Sequence, residues 1–187
     1  EELARVAARS FGPVGTGERD KDRYLDGIDG LTYGDKPEEG FVRGRTYSHP
    51  GLGISFTVPQ GFRLDNREEA IVASGPGEKA VRVDAAPLPS NRTLNDYLNS
   101  GWIGGLSDQA PKLTQINGLH ALRAQAASEG WVFDITLLRS GERVYRLITA
   151  APGADSTGGV TQIGDEVANS LRKMSRSEVA NLRPLRM

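Results

Sequence analysis

Between residues 131 and 150 the chain carries the pattern that most restricts its fold. Trp131, Phe133, Ile135 and Leu137 occupy alternate positions, with Val132, Asp134 and Thr136 between them. A period of two places the large apolar side chains on one face of an extended strand; a helix would spread them around its axis. After the polar stretch Ser140-Gly141-Glu142-Arg143, the segment Val144 to Ala150 returns with comparable apolar content. A connection this tight joins antiparallel neighbours.

Other segments are built to extend that pair. Asn117-Gly118, between Leu113 to Ile116 and Leu119 to Ala126, is a strong two-residue hairpin signal. Ile54, Phe56 and Val58 alternate with Ser55 and Thr57. The turn His49-Pro50-Gly51-Leu52-Gly53 precedes this strand and Pro59-Gln60-Gly61-Phe62 closes it. Ala70 to Ala73 and Ala80 to Ala85 read as two more strands, separated by Ser74-Gly75-Pro76-Gly77. In the second of them Val81, Val83 and Ala85 face one way, Arg82 and Asp84 the other.

Helical spacing appears in two places. Thr93 and Asp96 stand at capping-box distance ahead of Leu94, Tyr97 and Leu98, and Gly104-Gly105 is the expected stop. Val160, Ile163, Val167 and Leu171 make an amphipathic stripe suited to lie on a sheet. Ser175 and Glu178 predict a second capping box for a short final helix, which Pro184 would end. The expected class is α+β: an antiparallel sheet with helices laid against it.

The first 40 residues differ from the rest. Leu3, Val6 and Ala7, and later Tyr24, Leu25 and Ile28, have helical spacing, but Gly12-Pro13-Val14-Gly15-Thr16-Gly17, Gly27 and Gly30 interrupt them. Residues 1–40 are therefore read as a linker with short helices, residues 41–174 as the regular domain, and residues 175–187 as a short helix and tail. The chain opens on Glu1-Glu2-Leu3, without an initiator Met or a signal-peptide pattern, so it is expected to be cut from a longer gene product.

The inventory of chemistry is thin. The chain has no cysteine, which removes disulfides and thiolates. It has two histidines: His49 in a Pro-Gly turn and His120 in a predicted strand, with no H-E-x-x-H for a helical zinc site. No G-x-S-x-G elbow occurs, and Gly75-Pro76-Gly77-Glu78-Lys79 lacks phosphate-loop spacing. Glu38-Glu39 and Glu68-Glu69 read as solvated loop pairs. Asp134 sits inside the most hydrophobic strand, on the face opposite Trp131 and Phe133. It is expected on a partly wet face beside an arginine of a neighbouring strand, as a structural ion pair. Tyr97, Trp102, Trp131 and Phe133 read as core rather than as a ligand groove. With 23 basic and 24 acidic residues there is no electrostatic footprint for nucleic acid, and no apolar run is long enough to span a membrane. No catalytic, cofactor-binding or metal-ligating residue is assigned.

Two resemblances add to this reading. Asp22-Arg23-Tyr24-Leu25-Asp26-Gly27-Ile28-Asp29-Gly30-Leu31, followed by Tyr33-Gly34-Asp35-Lys36-Pro37-Glu38-Glu39-Gly40-Phe41-Val42-Arg43-Gly44, resembles the stretch after the catalytic domain in a group of proteobacterial zinc metallopeptidases. These are relatives of the outer-membrane assembly protease and the CAAX prenyl-protein endopeptidases (peptidase family M forty-eight), and Arg183-Pro184-Leu185-Arg186 is similar to their C-terminal ending. The order Val58-Pro59-Gln60-Gly61-Phe62, Thr93-Leu94-Asn95-Asp96-Tyr97, Ile116-Asn117-Gly118, hairpin and final helix is similar to the PsbP-like fold over residues 46–174, with its α/β/α layers. The first resemblance implies a parent enzyme that cleaves peptide bonds at zinc, in the periplasm or at a membrane, with its zinc ligands upstream of Glu1. The present chain would then be a non-catalytic accessory domain without zinc or other cofactor. Its partners would be the upstream peptidase domain and protein substrates. The second resemblance alone implies a stand-alone binding or assembly module.

Overall fold

The computed structural model describes residues 39–153 and 157–182. The expected helices within residues 1–40, the stop at Pro184 and the Arg183–Arg186 ending lie outside the described residues.

The strands are β1 (Phe41–Arg43), β2 (Thr46–His49), β3 (Ile54–Thr57), β4 (Arg63–Asn66), β5 (Ile71–Ser74), β6 (Ala80–Pro87), β7 (Lys112–Ile116), β8 (Leu119–Ser128), β9 (Trp131–Ser140), β10 (Arg143–Pro152) and β11 (Arg172–Lys173). The helices are α1 (Leu94–Leu98), α2 (Thr157–Ser170) and α3 (Arg176–Asn181). All strand pairs are antiparallel. They form a large sheet of order β4-β5-β6-β10-β9-β8-β7 and a small one of order β1-β2-β3-β11. The class is α+β, as the sequence predicts.

The centre of the large sheet is the expected hairpin. β9 and β10 pair from Arg143 with Ser140 through Pro152 with Trp131. β8 is delivered to β9's other edge, and β7 to β8 through Asn117 (φ 49°) and Gly118 (φ 77°). Both turn residues are left-handed, the geometry that matches the strand twist in a two-residue hairpin and that Asn-Gly adopts at least cost.

The sheet is covered on both faces. Phe133, Ile135 and Leu137 of β9 pack with Leu122, Val144, Ile148, Leu88, Leu94 and Leu98 on the α1 side. Leu138, Leu147, Val81, Val83, Ile71 and Ala73 pack on the other side with Val167 and Ala168 of α2 and Phe56 and Tyr47 of the small sheet. Each Val, Leu, Ile or Phe side chain among these, fully buried, contributes about 1.5–3 kcal/mol, so two covered faces stabilise far more than one.

Three corrections follow. β1, β2, β4 and β11 lie in segments without alternation long enough to read, and three of them build a second sheet around β3. The expected turn after His49 forms: His49 ends β2 opposite Ile54, and its C=O accepts from Gly53 N–H at 2.8 Å. α1 stops at Leu98 with Asn99 as its cap, short of Gly104-Gly105; the backbone N–H of Asn99 and of Ser100 already close the turn on Asn95 and Tyr97. Asp134 does not lie on a wet face. It is 3% exposed, because α2 lies over it.

Both predicted capping boxes form. The Thr93 hydroxyl accepts from Asp96 N–H (3.1 Å), while Thr93 N–H donates to Asp96 (2.8 Å). Ser175 and Glu178 repeat the exchange at 3.2 and 2.7 Å. Such a cap is worth about 1 kcal/mol.

Candidate functional site

Two polar centres stand on opposite faces of the large sheet. On the α1 face, Arg146 of β10 and Asp84 of β6 are direct cross-strand partners, so their side chains rise from the same place. Arg146 donates from Nε to Asp84 Oδ1 and from Nη2 to Oδ2, both at 2.6 Å. Parallel bonds of this kind are the strong, geometrically exact form of the arginine–carboxylate pair. Arg82, two residues before Asp84 on the same face, donates to Oδ2 at 3.1 Å. Asp84 is nearly enclosed at 4% side-chain exposure, whereas Arg146 keeps 22%. Burial works against the charge on Arg146, but the bonds to Asp84 outweigh it and hold the guanidinium pKa above its ordinary value.

The aromatic residues complete this centre. Arg146 Nη1 donates to the Tyr97 hydroxyl at 3.1 Å, and the guanidinium carbon lies 5.2 Å from the centre of the Trp102 ring, within cation–π range. Tyr97 and Trp102 are themselves 5.5 Å apart, ring to ring. Both are half-buried against the α1-side core. The expectation that Tyr97, Trp102, Trp131 and Phe133 pack as core therefore holds, and Tyr97 and Trp102 have a second task of fixing Arg146. The buried Trp102 Nε1 has no hydrogen-bond partner among the described residues.

On the other face Arg123 of β8 reaches Asp134 of β9 at 2.8 Å and also pairs with Asp165 of α2. Gln125 donates to Thr161 of α2 at 3.0 Å. Asp134 is the structural ion pair expected from the sequence, with an arginine of the neighbouring strand. Burial raises the Asp134 pKa above the usual carboxylate range, and the charge and hydrogen bond of Arg123 pull against that rise without cancelling it. The hydroxyls of Thr136 and Thr149, on the same face, are buried without a partner among the described residues.

The two histidines stay apart from both centres. His49 Nδ1 accepts from Leu52 N–H at 3.1 Å, and burial holds its pKa below the ordinary imidazole range. His120 is exposed on β8, on the α1 face with Leu122, whereas Asp134 faces α2. His120 and Asp134 therefore lie on opposite faces of the sheet. Among the described residues there is no group of three or more His, Cys, Asp or Glu able to hold a metal ion. No helix there is long and apolar enough to cross a membrane.

No family model matches the chain, and no curated protein matches it. Solved structures do. A protein from Bacteroides thetaiotaomicron matches 73% of this chain at 15% identity and a TM-score of 0.51, and the chain spans 50% of that protein's length. Cyanobacterial PsbP (CyanoP) of Synechocystis matches 72% of this chain and 98% of its own at 15% identity and a TM-score of 0.51. The Ran-binding protein Mog1p of Saccharomyces cerevisiae matches 73% of this chain and 98% of its own at 11% identity and the same TM-score. The fold is thus that of PsbP and Mog1p. These matches lend no support to the metallopeptidase relationship suggested by residues 22–44.

Proposed function

We propose that residues 41–174 form a non-catalytic protein-binding domain that presents Arg146, Tyr97 and Trp102 to a protein partner. The carrying observation is the fixing of Arg146 by Asp84, Tyr97 and Trp102 while its side chain as a whole keeps 22% exposure. Tyr, Trp and Arg supply most binding energy at protein interfaces, and side chains already held in place lose little entropy on binding. The likeness to a protein named for binding Ran is consistent with this use of the fold.

The resemblance in residues 22–44 extends the proposal. The domain is the accessory part of a zinc-dependent peptidase, in the periplasm or at a membrane, and it binds protein substrate or controls access to an upstream active site. Zinc belongs to that upstream domain. Peptide hydrolysis and bound zinc, measured on the longer gene product and on this 187-residue chain, test the extension. Zinc and turnover are expected only in the longer protein, with Arg146→Met lowering turnover of protein substrates and leaving short peptides unaffected. Hydrolysis by the 187-residue chain itself would sink the non-catalytic reading.

The second reading is a stand-alone binding or assembly module. It is favoured by the match to CyanoP and Mog1p over 98% of their own lengths, since in those proteins the fold makes up nearly the whole chain. A gene that encodes no H-E-x-x-H upstream of Glu1 selects it.

A further inference from the structure

The two edges of the large sheet are unlike. At one edge β4 presents Arg63 and Asp65, Asp65 pairs with Arg67 at 2.8 Å, and β1 lies alongside. Charged side chains and a covering strand are the ordinary means of keeping an edge from pairing. The other edge is β7, whose sole neighbour among the described residues is β8. It carries Leu113, which is 76% exposed and is the single exposed large hydrophobic residue among those described.

The hairpin decides which backbone groups of β7 point outward. Ile116 and Leu119 flank the two-residue turn and form its closing hydrogen-bonded pair, and bonded and non-bonded pairs alternate from there. Ile116, Thr114 and Lys112 direct their N–H and C=O to β8. Leu113 and Gln115 direct theirs away from the sheet.

We infer that the chain forms a two-fold dimer in which the β7 edges of two copies pair antiparallel about Thr114, joining the two large sheets into one. In this register Leu113 of each copy meets Gln115 of the other, so the outward backbone groups satisfy one another. Thr114 faces its own counterpart, a favourable cross-strand pair, and the two Leu113 side chains become diagonal neighbours on one face. Lys112 falls opposite the partner's Ile116, and the two lysines stand roughly 13 Å apart at about 3.4 Å per residue, so no like charges meet. A formal net charge of -1 adds little repulsion between copies.

Sedimentation velocity on the 187-residue chain, across the concentration range in which it stays soluble, gives the first test. The mass is expected to rise with concentration from 20.1 kDa toward twice that value. Leu113→Lys and Gln115→Pro are each expected to abolish the rise, the second by removing an outward donor while leaving the β8 pairing intact. Because the chain has no cysteine, Thr114→Cys reports the axis: mild oxidation should link two copies through that position, and Lys112→Cys should not link. A constant mass of one chain overturns the inference. So does a dimer that survives both edge substitutions, or a Lys112→Cys variant that links as readily as Thr114→Cys.

Discussion

Gly164 of α2 lies directly against Asp134 of β9: a β-carbon at residue 164 would collide with the carboxylate Oδ2, meet its Cγ at 3.1 Å and come within 3.4 Å of the Thr149 hydroxyl. Glycine costs a helix about 1 kcal/mol relative to alanine. Here that cost allows the helix axis to sit close enough for Arg123 to bridge Asp134 and Asp165.

Gly164→Ala therefore sets helix propensity against packing. The propensity gain of about 1 kcal/mol is outweighed by overpacking of about 1–3 kcal/mol, since the obstacle is a carboxylate fixed by its ion pair. The variant is expected to unfold at lower urea concentration than the parent. A more stable Gly164→Ala protein would mean that α2 can lift off the seam freely.

The two carboxylates on Arg123 should differ greatly in worth. Asp134 has 4% side-chain exposure and Asp165 has 46%. Asp134→Ala removes one partner of a buried pair and should cost about 3 kcal/mol, while Asp165→Ala removes a partly solvated one and should cost under about 1 kcal/mol. Equal losses in chemical denaturation would contradict the burial argument.

Removing an unpaired hydroxyl should help. Thr136 is fully buried and its Oγ1 has no partner among the described residues. Thr136→Val keeps the shape and sheds a desolvated polar group, for a gain of about 1 kcal/mol. A loss of stability in the same denaturation assay would show that the hydroxyl makes a bond in solution.

Two carboxyl groups link folding to pH with opposite signs. Burial raises the Asp134 pKa, so the native chain holds that proton more tightly than the unfolded one. Stability from this group is greatest below the unfolded value and falls as pH rises through the raised one, a slope that Asp134→Asn should remove. Glu178 is the reverse case. Its hydrogen bonds from Arg172, then from Ser175, hold it at about 2, against an ordinary 4.5. Its contribution is complete above 4.5 and lost as pH falls toward 2. An NMR titration that places Glu178 near 4.5 would show the Arg172 clasp to be open in solution.

Much of the fold is legible in the sequence. The β9–β10 hairpin, the Asn117-Gly118 turn and both capping boxes rest on contacts within a few residues, where side-chain type and spacing are sufficient causes. The long strands showed themselves by alternation, and α2 by the recurrence of Val160, Ile163 and Val167. The small sheet escaped notice because β1, β2 and β11 have between two and four residues each. None of the three sets two large apolar residues at alternate positions, as β3 does with Ile54 and Phe56.

The candidate site divides the same way. Alternation assigns Arg82 and Asp84 to one face, places Asp134 opposite Trp131, and makes an arginine of a neighbouring strand its expected partner. Nothing local marked Arg146 as the partner of Asp84, 62 residues away, or Asp165 as the second acid on Arg123. Local spacing determined the strands, the turns and the caps, because those depend on backbone preference and nearby side chains. The choice of strand neighbours, the laying of α2 over Asp134 and the fixing of Arg146 were decided only by tertiary structure, because burial and ion pairing depend on residues that folding alone brings together.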